Sequence, residues 1–269
     1  MEFAFIITGR HALPFVKMCV GSIKAQLGSF STSAIYVDDH SGYDSLQLRE
    51  LKHFLKSIHG KLLVLKSRHY QIGALSQAIP LIRSPKAIIC LVDGDDYLLS
   101  HALETVAEAY RNPDVALTYG NALIDFRPYQ DVQQKYFSDK GNVNTPYPHS
   151  VWKDQTFRED GFRCFHFRTF RRWLWDYIHP QDFLRADGGF IRASGDSAYM
   201  FPMLELLADQ KHVAFIDTPT YVYRLHEGNV HNHDKASQFN DLHYLRFSKK
   251  KYAPLNRQLL QERLQSCAE

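Results

Sequence analysis

The chain has 269 residues, 45% of them hydrophobic and 23% charged, with a formal net charge of +3 at pH 7. This composition excludes disorder, collagen-like repeats and coiled coil, and a chain of this length buries roughly 75% of its unfolded surface without needing a disulfide or a metal. So small a charge demands no nucleic-acid partner, and no apolar run approaches the ~20 residues of a membrane span.

The chain begins Met1-Glu2 and then the short apolar run Phe3–Thr8, which lacks the basic start and cleavage site of a secretory signal. Cys19, Cys90, Cys164 and Cys267 form no CxxC pair and read as reduced thiols of a cytoplasmic protein. Phe3–Thr8 is the first predicted strand. Ala12–Leu27 carries apolar residues at helical spacing, Ala34–Val37 is a second strand, and Leu46–Ile58 a second amphipathic helix. Lys61–Leu65, Ile72–Ile82 (its last turn limited by Pro80) and Ala87–Val92 follow as strand, helix and strand. The unbroken apolar run of the last suits a strand covered on both faces. Helix His101–Tyr110 and strand Val115–Tyr119 close this half.

Such alternation predicts an α/β fold with a mostly parallel, Rossmann-like sheet and helices on both faces. Ligands then bind beyond the carboxyl ends of the strands, at Thr8–His11, Asp38–Ser41, Lys66–Tyr70 and Asp93–Asp96. The second half is irregular. Asp125–Phe162 reads as a long polar excursion, Phe165–Ile178 is dense in aromatics and arginine, Arg158–Arg172 reads as an amphipathic helix, Asp196–Ala208 as a helix, and Val213–Ile216 and Thr220–Tyr223 as two strands. A basic stretch at Lys249-Lys250-Lys251 precedes a last helix, Leu255–Leu264. Nothing marks a linker, so one domain is expected: an α/β half over 1–120, an irregular half over 121–235, and a helical tail over 236–269.

The strongest local signal is Leu91-Val92-Asp93-Gly94-Asp95-Asp96-Tyr97, three carboxylates directly after a buried strand. Crowded carboxylates repel one another and await a cation. A calcium loop starting at Asp93 finds Glu104 at its twelfth position, but it fails because Leu98 stands where glycine is required. An aspartyl-phosphate phosphatase lacks its threonine motif, and a plain solvated turn stays open. Asp38-Asp39-His40-Ser41 is a weaker acidic turn that gains weight from facing the same crevice. In Ser194-Gly195-Asp196-Ser197, Asp196 stands at a helix start, where capping competes with catalysis. Last comes Tyr221-Val222-Tyr223-Arg224-Leu225-His226, with His231 and His233 behind it, a metal or phosphate site or else a solvated loop.

In this order, over Phe3 to Asn229, the elements resemble the GT-A glycosyltransferases, in particular the large inverting family 2. The resemblance implies a GT-A fold with an irregular C-terminal acceptor-side half. It also implies an inverting, metal-assisted transfer of a sugar from a nucleotide-sugar donor, UDP-linked, to a hydroxyl of a glycan or lipid-linked acceptor. Thr8 and Arg10 would then lie in the first nucleotide-binding loop, and Asp39 would accept the uracil N3–H, a contact thymine offers equally. Asp93 and Gly94 would stand near ribose and donor sugar, and Asp95, assisted by Asp96, would hold Mn²⁺ or Mg²⁺ on the diphosphate. Asp196 matches the general base and His226 a late metal or diphosphate ligand. Three departures stand out. The first loop is Thr8-Gly9-Arg10-His11, the Arg-Asn pair of the third helix appears as Ser76-Gln77, where Gln77 is carried over as a donor-binding residue, and Gly195 replaces the glutamate before the base.

Arg163, Arg168, Arg171 and Arg172 alternate with Phe162, Phe165, Phe167, Phe170 and Trp173. Stacking of single-stranded nucleic acid is the lesser reading, and a helix with aromatics packed inward and arginines facing water or an anion the better one. His166, Arg168 and Arg224 are acceptor-side candidates, and Trp173 and Trp175 are expected in the core. The basic tail suggests peripheral contact with the inner face of a membrane. Two rivals share the sheet: a sugar nucleotidyltransferase, for which Thr8-Gly9-Arg10-His11 supplies only a fragment of the Gly-rich loop, and a non-catalytic nucleotide-sugar-binding protein.

Overall fold

The computed structural model describes residues 1–26, 28, 30–127, 143–229 and 234–267. Strands β1 (Glu2–Gly9), β2 (Ser31–Asp38), β3 (Lys61–Val64) and β4 (Ile88–Asp93) alternate with helices α1 (Leu13–Lys24), α2 (Ser45–Lys56) and α3 (Tyr70–Ala78), as the apolar spacing predicts. Then come β5 (Tyr97–Leu98), α4 (Ala102–Ala109), β6 (Leu117–Asp125), α5 (His149–Asp154) and α6 (Phe157–Asp160). The chain closes with β7 (Arg168–Arg171), α7 (Arg172–Trp175), α8 (Gly195–Leu207), β8 (Val213–Arg224), α9 (Lys235–Phe247) and α10 (Arg257–Gln265).

Among the described residues one eight-stranded sheet runs β3-β2-β1-β4-β7-β6-β8-β5. The first four strands are mutually parallel, whereas β7 is antiparallel to both β4 and β6. Alternate residues of β1 enter two cores: Phe3, Phe5 and Ile7 meet α1, α2 and α4, while Ala4 and Ile6 meet α3 and α8. Both faces are therefore dry, which is why these strands read as unbroken apolar runs.

The structure differs from these expectations in several places. The stretch Arg158–Arg172 is not one amphipathic helix with its arginines facing outward. It supplies β7 and one helical turn, and Arg168, Arg171 and Arg172 are buried: Arg171 lies over the Tyr110 ring and Arg172 is bonded to Asp176 and the Ile79 carbonyl. Val213–Ile216 and Thr220–Tyr223 belong to one strand, β8, paired in parallel with β6 across an irregularity at Gly120. Lys235–Phe247 forms the first helix of the expected helical tail, whereas the short strand β5 was unforeseen. The excursion carries α5 and α6, while its residues 128–142, and His231 and His233, lie outside the described residues.

Trp173 and Trp175 are in the core as expected. No helix among the described residues is long and apolar enough to cross a membrane. Of the basic triplet, Lys249 bonds the Gln181 carbonyl at 2.7 Å and faces Asp182, and Lys251 pairs with Glu159 at 2.6 Å. Two of the three tail cations thus serve internal contacts.

Candidate functional site

The carboxyl ends of β1, β2 and β4 are in register, Thr8 beside Asp93 and Gly9 beside Asp38. Glycine is required at position 9, because a Cβ there would fall 2.2 Å from the Tyr36 hydroxyl. Beyond these ends lies a cleft of about 280 Å³ lined by Thr8, Arg10, Asp39, Asp93, Asp95, His166, Arg168 and Asp196. Strands from both halves of the chain therefore bring eight of the predicted residues to one crevice.

Asp39 accepts from the backbone N–H groups of His69 (2.6 Å) and Tyr70 (2.9 Å). That grip holds Tyr70, at φ 58°, in the left-handed conformation a bulky residue rarely adopts. Asp93 accepts from Gln71 (2.8 Å) and Thr8 (3.2 Å), and its backbone N–H donates to the Tyr221 hydroxyl (3.0 Å). Burial first, and then the neighbouring Asp95 charge, push the Asp93 carboxyl up to about 6. Gly94 donates to the Thr8 carbonyl and packs against Ala12 and Tyr36, closer than a side chain would comfortably allow. Asp95 lies 2.9 Å from His226 Nε2.

Asp196 is the second residue of α8, inside its first turn, with Ser194 in the cap position, so the capping reading is corrected. Its carboxylate is oriented by Arg168 (3.0 Å) and by the Ser197 N–H (2.8 Å). Arg168 Nη2 is also 3.0 and 3.2 Å from the ring nitrogens of His166, which stacks on Tyr221 at 4.3 Å. Burial, then the Arg168 charge, hold His166 well below the usual imidazole range, so the ring is neutral.

Three site expectations are corrected. Gln77 is exposed and outside the cleft, and Gln71, one residue into α3, is the glutamine that reaches Asp93. Asp96 is fully buried with both oxygens engaged, by the Tyr221 hydroxyl (2.8 Å) and the Arg224 N–H (2.8 Å), so it braces the turn rather than facing the cleft. Burial and the two nearby carboxylates raise its carboxyl well above the ordinary range. The Arg224 side chain lies between the rings of Phe15 and Tyr97, outside the cleft lining. Sequence reasoning missed Tyr221, whose apolar strand context reads as core, and Gln71, which fell just before the predicted helix start.

Two donor sets for a divalent cation can be weighed. Asp93, Asp96 and His166 present atoms within 4.8 Å of one another. Asp96 is fully buried and accepts a hydrogen bond on each oxygen, however, and a guanidinium stands 3.0 Å from His166, repelling any cation there. Asp95 and His226 offer a carboxylate and an imidazole that are both part-exposed, a set compatible with Mn²⁺ or Mg²⁺.

The model of glycosyl transferase family 2 matches residues 5–178, about two thirds of the chain. The chain belongs to glycosyl transferase family 2. As a family 2 member it is a glycosyltransferase, and its Asp196 and His226 lie beyond the matched segment. Comparison with curated protein sequences returns no match. Among solved structures, the glycosyltransferase is similar to S. aureus TarS residues 1–349, solved with UDP, at 14% identity and a TM-score of 0.59, covering 99% of this chain and 70% of that one. The mannosyltransferase PcManGT of Pyrobaculum calidifontis, solved with GDP-Man and Mn²⁺, is similar at 15% identity, TM-score 0.57 and 98% and 68% coverage. Glucosyl-3-phosphoglycerate synthase of Mycobacterium tuberculosis, solved with Mn²⁺, UDP and glucosyl-3-phosphoglycerate, is similar at 10% identity, TM-score 0.54 and 93% and 81% coverage. At these identities the likeness shows the shared GT-A fold.

Gly195, which stands before Asp196, has a packing explanation. A Cβ there would lie 3.2 Å from the Ile72 backbone nitrogen and 3.3 Å from Gln71 Oε1. The glycine lets the first turn of α8 abut the first turn of α3 and brings Asp196 to the cleft, so its presence gives no support to a non-catalytic binder.

Proposed function

We propose that the enzyme transfers a sugar from a UDP-linked donor to a hydroxyl of a glycan or lipid-linked acceptor, with inversion at the anomeric carbon. The observation that carries this reading is the delivery of Asp196, from the first turn of α8, to the cleft that also holds Asp39, Asp93 and Asp95. The solved complexes of TarS with UDP and UDP-GlcNAc, and of the mycobacterial synthase with UDP, favour a uridine donor.

On this reading Asp39, at the end of β2, marks the base end of the donor site. Asp93, fixed by Gln71 and Thr8, faces ribose and sugar. Asp95 and His226 would hold the divalent cation. Bound there, Mn²⁺ or Mg²⁺ supplies Lewis-acid stabilisation of the charge that grows on the departing diphosphate. Asp196 takes the proton of the acceptor hydroxyl as that oxygen attacks from the face opposite the leaving group. A carboxylate suffices as base because the proton departs late, when bond formation has acidified the hydroxyl. Arg168 is a positioning residue that fixes the Asp196 carboxylate.

The test is Asp196→Asn, expected to lower turnover by roughly 10²–10⁴-fold while UDP affinity is retained. Transfer at the native rate by this variant would overturn the assignment.

A further inference from the structure

The cleft holds a cationic feature that the donor and base assignments leave unused. Arg68 and Arg192 line it along with Tyr70. The Arg68 guanidinium lies 4.3 Å above the centre of the Tyr70 ring, and that of Arg192 lies 5.9 Å from the same centre. Neither arginine makes a salt bridge or a side-chain hydrogen bond among the described residues. Asp234 lies within the field of both, and its part-buried carboxylate accepts from the Ser237 N–H as the cap of α9. Two like charges are thus gathered around one aromatic ring, neither of them in a salt bridge among the described residues. Cation–π contact holds them there, and their planar N–H forks remain available for an anion.

The backbone behind Arg192 is fixed. The buried carboxylate of Asp241 accepts from the N–H groups of Arg192 (2.7 Å) and Ala193 (3.0 Å), and the next residues lead into α8 and Asp196. Tyr70 opens α3, whose first turn abuts that of α8 at Gly195. The pair therefore lines the cleft between Asp39, which holds the Tyr70 N–H, and the first turn of α8.

We propose that Arg68 and Arg192, mounted on Tyr70, form an anion subsite that binds a phosphate or carboxylate carried by the sugar substrate, and that the acceptor bears it. The inference rests on the glycosyl-transfer reading, and it narrows the acceptor from any glycan to an acidic one. The same chemistry could sit on the donor, as a uronate sugar, so the experiment has an arm for each source.

The full-length enzyme, loaded with UDP and Mn²⁺, is titrated with galactose, galactose 6-phosphate and galacturonate. In parallel, binding of UDP-glucuronate is compared with that of UDP-glucose. The anionic acceptor probes should bind about tenfold more tightly than galactose, the gain from a charge-assisted bidentate contact. Arg68→Gln and Arg192→Gln should erase that preference, Arg192→Lys should restore part of it, and UDP affinity should stay within about twofold. Both side chains are exposed, so an unchanged thermal midpoint is expected and certifies the variants.

Equal binding of neutral and anionic probes to the native enzyme would overturn the subsite. If the glutamine variants instead abolish a preference for UDP-glucuronate, the anion belongs to the donor and the acceptor assignment is overturned. Loss of UDP binding from the native enzyme, with sugar-phosphate discrimination intact, would sink the donor-site reading separately while supporting the subsite.

Discussion

Arg158 and Glu205 form a two-pronged pair at 2.6 and 2.8 Å, with side-chain exposures of only 3% and 2%. The guanidinium also donates to the carbonyls of Leu245, Lys249 and Lys250, and Glu205 accepts from the Tyr252 N–H at 2.9 Å. The pair thus fastens α8, which carries Asp196, to α6 and to the segment between α9 and α10. Glu205→Ala strands a cation in a dry site, and breaking one side of a buried pair costs about 3–5 kcal/mol. The Tyr252 N–H loses its acceptor as well, a penalty of about 1–3 kcal/mol where water does not replace it. The loss should therefore lie at or above the upper end of the first range. Replacing both partners, Arg158→Met with Glu205→Leu, removes both charges and should cost less than the single truncation, although three carbonyls lose a donor. Urea unfolding of the native chain, Arg158→Met, Glu205→Leu and the double variant closes a double-mutant cycle, with Glu205→Ala measured beside it. A loss below about 1 kcal/mol for Glu205→Ala, or strict additivity, would refute the claim that this pair clamps the helix that carries Asp196.

Three further outcomes are expected. Tyr221→Phe removes the hydroxyl that bonds both the Asp96 carboxylate and the Asp93 N–H; it should cost about 1.5–3 kcal/mol in urea unfolding, and a neutral result would contradict the bracing role. Gly73→Ala places a Cβ 2.7 Å from His69 Cβ and 3.0 Å from the Phe190 ring, so overpacking should cost about 1–3 kcal/mol, whereas a raised thermal midpoint would show that the contact relaxes freely. His166 should remain neutral as pH falls through about 6.5, and its ring ¹⁵N shifts report this directly. The unfolded chain gains that proton and the native one does not, so this histidine's contribution to stability is complete above the unfolded pKa and is lost as pH falls below it. Titration of His166 near 6.5 would mean that burial and Arg168 do not act on it as described.

The donor half of the site was readable because alternating strands and helices fix where strand carboxyl ends lie, and the acidic turns after β2 and β4 fall there. The acceptor half was harder. Arg168-Thr169-Phe170-Arg171 reads as a half-polar surface, yet both arginines are buried, one against Asp196 and one over Tyr110, and only tertiary pairing with β4 and β6 makes that segment a strand. Asp96 and Asp95 are indistinguishable as letters, and a one-residue step around the turn sends one into the core and the other into the cleft. Arg224 misled because its aromatic partners, Phe15 and Tyr97, are more than a hundred residues away in the chain. Gly195 looked like a loss and proves to be a contact, which became visible only when α3 stood beside it.

The measurement that tests the central claim most directly is the release of nucleoside diphosphate from UDP-, GDP- and dTDP-sugars, with and without Mn²⁺, by the native enzyme and by Asp95→Ala. Slow hydrolysis of a UDP-sugar, abolished by chelation and by Asp95→Ala, is the predicted result. No release from any donor, together with no Mn²⁺-dependent binding of UDP, would contradict the account.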